Sequence, residues 1–215
     1  MYVAIEGVIG VGKTTLARLL QNSFDAEILL EVFEENPFLS DFYSDRERYA
    51  FQTQIFFLLS RYHQQRRTVQ EMLSTGRNLL ADYTFAKDAL FARINLKGDE
   101  LDMYYKVHEA LAEKIEKPHL LVYLQASTDA LMQRIALRDR PYERQMERSY
   151  IHELNQAYDD FFSKPFDHTP VLTIETDHLN IVQNPEHLRW IENRIRQSLN
   201  LPPYQQTLPL PETSR

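Results

Sequence analysis

Five short apolar runs along the chain predict the strands of a β-sheet. Each run is too short for a helix and lacks polar alternation, which is typical of strands buried on both faces. The runs are YVAI at 2–5, EILL at 27–30, NLLA at 78–81, HLLVYL at 119–124 and VLTI at 171–174. Longer helix-like segments separate them, so the pattern predicts an α/β fold in which helices flank a parallel sheet. Ligands of such folds bind at the carboxyl ends of the strands.

Two helices and a tail are the clearest elements between and after these runs. The segment from about 45 to 74 would span about 45 Å as a helix. Its apolar content is enough for one face in the core and another in a subunit contact, so we expect a homodimer through this helix. Residues 127–138 predict a helix with a polar cap and terminal arginines. Four prolines in 201–215 predict an extended or disordered tail after a single domain at 1–200.

Composition excludes several classes of protein. A chain of 215 residues that is 43% hydrophobic can bury one sizeable core. It has no cysteine, so disulfides and thiolate chemistry are excluded. The net charge of −7 argues against a nucleic acid polymer as partner. We see neither an apolar run of membrane-spanning length nor a basic-then-apolar leader, and we therefore expect a cytoplasmic protein without membrane contact.

Three of the five glycines lie in IEGVIGVGKTT, residues 5–15. This stretch fits the pattern G-x-x-x-x-G-K-[ST], follows a predicted strand and precedes a predicted helix. Glycines allow several backbone N–H groups to face one anion at a helix N-terminus. The glycines concerned are Gly7, Gly10 and Gly12. The alternative is an ordinary turn between a strand and a helix.

The side chains after the last glycine predict an ATP site with Mg²⁺. Lys13 would reach the β- and γ-phosphates, and Thr14 would ligate the metal. Thr15 is a candidate for the α-phosphate. A phosphate-binding loop alone does not separate a kinase from a switch or a motor, so the acceptor site must decide.

Glu31, at the end of the second run, is the candidate acceptor-site base. A carboxylate there could take the proton of a hydroxyl that attacks the γ-phosphoryl group. Glu34 and Glu35 are rivals, and any one of three clustered acids can simply be a solvated loop charge. The position at the strand end favours Glu31.

Gln54, Arg61 and Asp88 form a candidate base-recognition set. Gln54 and Arg61 lie seven residues apart, on one face of the long helix, and interrupt an apolar run. A buried amide and guanidinium need partners, and Asp88 could be one. The three could read the polar edge of a nucleobase, with a stacking face from Phe51, Phe57, Phe85 or Phe91. An Arg61–Asp88 ion pair without any ligand is equally consistent with the residues.

Two further groups of charges have both a functional and a structural interpretation. Asp82 follows the third run, where it could bind Mg²⁺ or be a loop acid. Arg134, Arg138 and Arg140 could form a lid over the transferring phosphates or a solvated helix end.

Together these segments resemble the deoxynucleoside kinase family, particularly its bacterial members that act on deoxyadenosine and deoxyguanosine. The resemblance extends to about residue 181 and is carried by IEGVIGVGKTT, LLEVFEENPFL, FYSDRERYAFQTQIFFLLSRY, DYTFAKDALFA, YLQAS and RIALRDRPYE. It implies a P-loop kinase fold with a five-stranded parallel sheet, an arginine-rich lid and a homodimer. It also implies transfer of the γ-phosphoryl group of ATP to the 5′-hydroxyl of a deoxyribonucleoside in nucleotide salvage.

The resemblance also implies residue roles. Glu31 would be the general base, and Gln54, Arg61 and Asp88 would read the nucleobase. The sugar 3′-hydroxyl would be held by Tyr43 and Glu143. Asp82 would assist Mg²⁺, and the lid would consist of Arg134, Arg138 and Arg140.

Two departures from the family pattern concern the acceptor site. Val32 stands where many members have proline after the base glutamate. Tyr83 stands where many have arginine after the metal-side acid, so the positive charge near the 5′-oxygen must come from elsewhere or be absent. Lys87 is a candidate source.

Several functions compete with a purine deoxynucleoside kinase. A deoxycytidine-preferring or broad-specificity kinase has the same residue types, because Gln54 can donate or accept. A nucleoside monophosphate kinase needs an arginine for its acceptor phosphate, and Glu31 would repel that phosphate. A non-catalytic nucleotide-dependent switch predicts no base-reading set. The expected purine preference rests on the resemblance of EVFEENPFL and SRYHQ to the bacterial members of the family.

Overall fold

The computed structural model describes residues 1–33, 35–164, 166 and 168–204. The strands are β1 (Tyr2–Glu6), β2 (Ala26–Leu29), β3 (Asn78–Ala81), β4 (Leu120–Gln125) and β5 (Val171–Glu175). The helices are α1 (Lys13–Leu20), α2 (Leu39–Ser44), α3 (Arg46–Ser74), α4 (Lys87–Asn95), α5 (Gly98–Ala112), α6 (Thr128–Arg138), α7 (Arg148–Phe162) and α8 (Pro185–Ser198), with a 3₁₀ turn at Pro141–Glu143. The predicted strands are confirmed to within two residues at each end.

The five strands are all parallel and lie in the order β2-β3-β1-β4-β5. β1 is central and buried throughout, because β3 and β4 pair with it on either side. Burial on both faces was the wrong expectation for β5, where Thr173 and Glu175 are exposed. β5 is an edge strand, and one of its faces is left open to solvent.

Both faces of the sheet are covered at its centre. On one face, Tyr2 and Ala4 pack with Val69 from the second half of α3. On the other, Val3 and Ile5 join the larger core that α1 and α7 complete. Alternate residues of β1 therefore serve two layers, as the period of a strand requires.

Local capping explains where the two predicted helices begin. The Asp45 carboxylate accepts a hydrogen bond of 3.3 Å from the Arg48 N–H at the start of α3. The Ser127 hydroxyl accepts one of 3.2 Å from the Ala130 N–H at the start of α6. Both are N-caps of the ordinary kind.

The chain after α8 is described only to residue 204. Residues 201–204 form neither helix nor strand and are exposed, and the Pro202 carbonyl accepts a hydrogen bond of 3.1 Å from Arg196. Most of the predicted tail, 205–215, lies outside the described residues, as does Glu34. The boundary at 200 stays a prediction. In the described ranges, no helix combines the length and the hydropathy needed to cross a bilayer.

Candidate active site

The glycine-rich loop joins β1 to α1 at the carboxyl edge of the sheet, and two of its glycines are required by close contacts. A Cβ on Gly7 would lie 2.5 Å from the Leu124 carbonyl oxygen, and one on Gly10 would lie 2.8 Å from Ile135 Cγ1. Both have positive φ, at +146° and +88°. The loop therefore lies directly against β4 and α6, and its backbone conformation requires glycine at these two positions.

Lys13 and Thr14 lie in this loop as the first residues of α1. The Lys13 ammonium donates hydrogen bonds of 2.6 Å to the Gly7 carbonyl and 3.2 Å to the Val8 carbonyl. Burial is the largest influence on it, followed by the nearby Lys87 ammonium, and together they lower the pKa of Lys13 to about 8. The Thr14 hydroxyl donates to the Asp82 carboxylate.

A cavity of about 1050 Å³ opens on the donor side of the loop. Thr15 lines it, together with the end of α6 and the segment 176–182 that follows β5. Two of its lining side chains are strongly exposed apolar groups, Leu137 at 86% and Val182 at 70%. The cavity thus combines a polar phosphate end with an apolar mouth suited to a base and a sugar.

A second cavity lies on the other side of Lys13 and Thr14. It brings together most of the predicted acceptor residues. Its walls include Glu31, Tyr43, Gln54, Arg61, Phe91, Glu143, Asp82, Arg138 and Arg140. Of the other aromatic candidates, Phe57 also lines it, whereas Phe85 stacks on His108 with ring centroids 4.8 Å apart. Phe51 packs against the core and is not part of the lining that the structure describes.

Glu31 lies between two cations. Arg61 Nε donates a hydrogen bond of 2.9 Å to Oε1, and its Nη2 contacts the same oxygen. The Lys87 ammonium donates to Oε2. Burial by itself would raise the pKa of the Glu31 carboxyl, but the Arg61 guanidinium and the Lys87 ammonium outweigh it and hold that pKa well below its usual range. The carboxylate is therefore ionised throughout the neutral range.

Asp88 is fully buried behind Arg61. Its carboxylate forms an ion pair with Nη1 of the same guanidinium that contacts Glu31. The expected Arg61–Asp88 ion pair is thus present, with Arg61 lining the cavity and Asp88 behind it, and the role of the two residues in reading a base stays a prediction. The structure brings Gln54 into the same wall, where it is 3% exposed.

Tyr43 and Glu143 also line the acceptor cavity. Tyr43 stacks on Tyr142 at a centroid distance of 6.2 Å and an interplanar angle of 12°. The buried Glu143 carboxylate accepts hydrogen bonds of 3.1 and 2.6 Å from Arg138, and Arg140 lies 3.7 Å away. Two of the three predicted lid arginines are therefore paired with the predicted sugar-binding acid.

Arg134 has a different environment from the one expected of a mobile lid. Its guanidinium donates to the Val11 carbonyl at 3.3 Å and to Thr176 at 2.9 Å (Oγ1) and 2.6 Å (carbonyl). It lies one turn before the end of α6, so it reaches back to the phosphate loop and to the end of β5. It thus braces these segments, and its predicted catalytic role stays a prediction.

Tyr83, which stands where many family members have arginine, faces away from the acceptor cavity. Its side chain is fully buried on the α3 side of the sheet, and its hydroxyl donates a hydrogen bond of 2.6 Å to Gln64 Oε1. Lys87 occupies the cavity wall instead and is 4% exposed. The predicted alternative source of positive charge therefore lies within reach of Glu31.

Glu6 is a buried acid that sequence reasoning missed. Its carboxylate accepts hydrogen bonds from Thr84 N at 2.6 Å and Oγ1 at 2.8 Å and from the Gly7 N–H at 3.3 Å. Burial raises its pKa. The signal was present, since an acid as the last residue of a buried strand, directly before the loop, needs partners. Glu6 ties the donor loop to the segment that carries Asp82 and Lys87.

The donor set at Thr14 and Asp82 fits a magnesium ion. A hydroxyl and a buried carboxylate are hard oxygen ligands that already lie in contact. Among the described residues there is no group of three or more histidines and acids that could hold a metal ion. Such a small protein donor set is typical of Mg²⁺ sites in which phosphates and waters supply the other ligands.

A glycine-rich loop of the phosphate-binding pattern with an acceptor cavity beside it, at the carboxyl edge of a five-stranded parallel sheet, defines a kinase of the P-loop fold. A sequence model of the deoxynucleoside kinase family matches residues 3–200. The chain belongs to this family. The predicted activity, transfer of the γ-phosphoryl group of ATP to a deoxyribonucleoside, is confirmed by the membership of this family. The two competing functions, a nucleoside monophosphate kinase and a non-catalytic switch, are not supported.

Several named proteins are similar to the chain. The deoxyguanosine kinase of Bacillus subtilis (strain 168) is 34% identical over 199 residues, which cover 91% of this chain and 96% of that protein. The deoxyadenosine kinase of Dictyostelium discoideum is 33% identical, over 80% of this chain and 71% of that protein. The fold matches that of the deoxyadenosine kinase from M. mycoides, determined with dCMP and dCDP bound, with a TM-score of 0.79 and 24% identity over 92% of this chain and 100% of that chain.

Proposed function

We propose that the chain phosphorylates purine deoxynucleosides, with Glu31 as the general base. One observation carries the proposal of the base. Asp82 accepts a hydrogen bond from the Thr14 hydroxyl with one oxygen and, at 2.8 Å, from the Glu31 N–H with the other. A single carboxylate thus joins the donor loop to the residue that faces the acceptor cavity. A general base that is joined to the donor loop in this way suits in-line transfer between the two cavities.

Glu31 accepts the proton of the 5′-hydroxyl as its oxygen attacks the γ-phosphorus. Its low pKa makes it a weak base, which suffices because bond making to the nucleophile is limited in most phosphoryl-transfer transition states. Its main contribution is then to orient the hydroxyl oxygen and to receive the proton late. An ionised acceptor-only carboxylate suits both tasks.

Lys13 and the lid arginines contact the donor phosphates in this proposal. Lys13 binds the β- and γ-phosphates, and Thr15 binds the α-phosphate. Arg138 and Arg140 close over the transferring group, which requires Arg138 to leave Glu143. Thr14 and Asp82 would hold Mg²⁺, which would neutralise charge on the donor phosphates.

The nucleobase and sugar are held by the walls of the acceptor cavity. Gln54 and Arg61 contact the base from the wall that also carries the ring of Phe91, and the fully buried Asp88 holds the Arg61 guanidinium. Tyr43 and Glu143 hold the sugar 3′-hydroxyl. These residue types favour no single base.

The purine preference rests on the similar proteins. Those from Bacillus subtilis and Dictyostelium discoideum are named for deoxyguanosine and deoxyadenosine, and the first is similar over 96% of its length. Another Bacillus subtilis relative, 29% identical, is named for both deoxyadenosine and deoxycytidine. A deoxycytidine-preferring or broad-specificity enzyme is therefore the alternative that an assay must separate.

A substrate profile tests the proposal. ADP release from ATP and Mg²⁺ is measured with each of the four deoxynucleosides and each of their monophosphates. We expect the highest kcat/KM with deoxyguanosine or deoxyadenosine and no turnover of monophosphates. A higher kcat/KM with deoxycytidine would contradict the purine preference, and turnover of monophosphates alone would contradict the acceptor site.

We also propose a homodimer through α3. Leu59 is 42% exposed on this helix, and Ile55, one turn earlier, is only partly buried. An apolar stripe on a helix of 29 residues suits an isologous contact. Sedimentation equilibrium should give twice the monomer mass for the wild type and the monomer mass for Leu59→Glu. A monomeric wild type would contradict the dimer.

A further inference from the structure

Lys87 is a buried cation whose position needs an explanation. It is the first residue of α4, it is 4% exposed, and its ammonium points into the acceptor cavity. The rings of Tyr83 and Phe91 lie 5.6 and 6.0 Å from its Nζ. Removing an ammonium group from water is costly unless charge and hydrogen bonds compensate for it.

Two other cations of this wall, Arg61 and Arg138, are more fully engaged. Arg61 contacts Glu31 and Asp88 together, and Arg138 makes two hydrogen bonds to Glu143. The Lys87 ammonium has three N–H donors, and in the part of the chain that the structure describes its hydrogen bond goes to Glu31 Oε2. Donors of Lys87 therefore remain for a ligand that approaches Glu31.

We propose that Lys87 is a catalytic residue that places its positive charge against the attacking 5′-oxygen and the incoming γ-phosphoryl group. This proposal rests on the proposed acceptor site and on Glu31 as its base. The 5′-oxygen that gives its proton to Glu31 is within reach of the Lys87 ammonium, because both groups contact the Glu31 carboxylate. One position of the Lys87 side chain then serves both contacts.

The chemistry explains why this charge favours the transition state. The bond from the 5′-oxygen to the γ-phosphorus forms while the bond from that phosphorus to the bridging oxygen breaks, and ADP leaves with the electron pair. The proton passes from the hydroxyl to Glu31. Protonation removes the negative charge that Lys87 balances in the ground state, so the ammonium is released toward the reacting oxygens. Its interaction with them grows along the reaction and accelerates it.

A purely structural role for Lys87 predicts a different outcome. If the ammonium only neutralises Glu31, an apolar side chain of similar length lets the pKa of Glu31 rise and makes it a stronger base. Such a variant loses stability or nucleoside affinity rather than the rate of the chemical step. The two roles are therefore separable by binding and single-turnover measurements.

The test compares Lys87→Met, Lys87→Arg, Lys87→Ala and the exposed control Lys106→Met. We expect Lys87→Met to lower the single-turnover rate by about 10²- to 10³-fold, the usual loss of a preorganised donor. The dissociation constant of the nucleoside should change far less. Lys87→Arg should retain more of the rate than Lys87→Met, and Lys106→Met should match the wild type. Ethylammonium added to Lys87→Ala should restore part of the rate.

Two results would overturn the proposal. One is a Lys87→Met enzyme that reacts at the wild-type rate. The other is a loss that lies wholly in nucleoside binding and is unaffected by ethylammonium. If the wild type itself transfers no phosphoryl group to any deoxynucleoside, the proposed function fails rather than the role of Lys87. Circular dichroism and ADP binding show whether each variant is folded.

Discussion

The guanidinium of Arg61 contacts the carboxylate of Glu31 directly, across 30 positions of the sequence. The same guanidinium contacts Asp88 with its remaining terminal nitrogen. The predicted general base and the predicted base-reading acid therefore share one cation. A change at either acid must alter the charge balance at the other, so specificity and turnover are coupled in this site.

Asp88→Asn should change substrate preference more than donor affinity. It leaves the Arg61 guanidinium paired with Glu31 alone and so changes the position and the charge balance of the cation that lines the acceptor cavity. We expect the ratios of kcat/KM among the four deoxynucleosides to shift by about tenfold or more, because an unmatched buried polar group costs about 1–3 kcal/mol. The KM for ATP should stay close to that of the wild type. The exposed Asp129, paired with Arg148 on the surface, offers the control Asp129→Asn. Equal losses with every base would count against the assignment.

Arg61→Met should destabilise the fold as well as impair the reaction. Asp88 is fully buried, so removing its partner leaves an uncompensated charge. We expect a loss of about 3–5 kcal/mol in the free energy of unfolding. Arg148→Met, which breaks a pair that is 60% and 77% exposed, should cost about 0–1 kcal/mol. Urea denaturation measures both, and similar losses in the two variants would contradict the structural account.

Gly7→Ala should damage the donor loop through close contact rather than through φ alone. The added Cβ would lie 2.5 Å from the Leu124 carbonyl oxygen, so the backbone must shift. Overpacking of this kind costs about 1–3 kcal/mol, and we expect ATP affinity to fall with it. Gly76→Ala is the matched control, since Gly76 also has positive φ, at +70°, but has no heavy atom within 4 Å of its added Cβ. Unchanged ATP binding in Gly7→Ala would show that the loop tolerates the shift.

The stability of the wild type should fall in mild acid because of His108. Its Nε2 is buried with no hydrogen-bond partner among the described residues, and its ring stacks on Phe85. Burial lowers the pKa of His108 from its ordinary value of 6.5, and a hydrogen bond with the Phe85 backbone and the nearby Glu109 carboxylate offset only part of this effect. The unfolded chain then binds the proton more readily than the folded chain. Stability is fully present above pH 6.5 and is lost as the pH falls through the folded-state pKa.

His108→Phe tests this directly, because it keeps the aromatic stacking and removes the titrating group. Thermal unfolding is recorded for both proteins from pH 8 to pH 5. The difference in stability between variant and wild type should grow in favour of the variant as the pH falls below 6.5. A difference that is independent of pH would refute this explanation.

Much of the site was predictable from the chain because it follows local rules. The spacing of the loop glycines predicts a phosphate-binding loop between a strand and a helix, and β1 and α1 lie on either side of it. Gln54 and Arg61 share a helical face, and they do line one cavity. Glu31 follows a strand end and lies beside the donor loop, although β2 ends two residues before it, at Leu29.

The rest depends on tertiary contacts that no local pattern contains. Tyr83 could have pointed into the acceptor cavity, but the side-chain alternation after β3 places it on the α3 face. The sequence predicts the same lid role for Arg134 and Arg138. Arg134 lies one turn earlier in α6, however, and it contacts Thr176 because of the way β5 packs, which the sequence does not show. Thr173 is exposed because β5 lies at the edge of the sheet, and the composition of a strand does not predict its place in the strand order.

The most direct test of the account is the single-turnover rate of Glu31→Gln. With ATP, Mg²⁺ and saturating deoxynucleoside, removal of the base should lower the rate of phosphoryl transfer by about 10²- to 10⁴-fold. Glu35→Gln, which alters an exposed acid in the same segment, should react like the wild type. A Glu31→Gln enzyme as fast as the wild type, or a loss confined to Glu35→Gln, would contradict the assignment of Glu31 as the base.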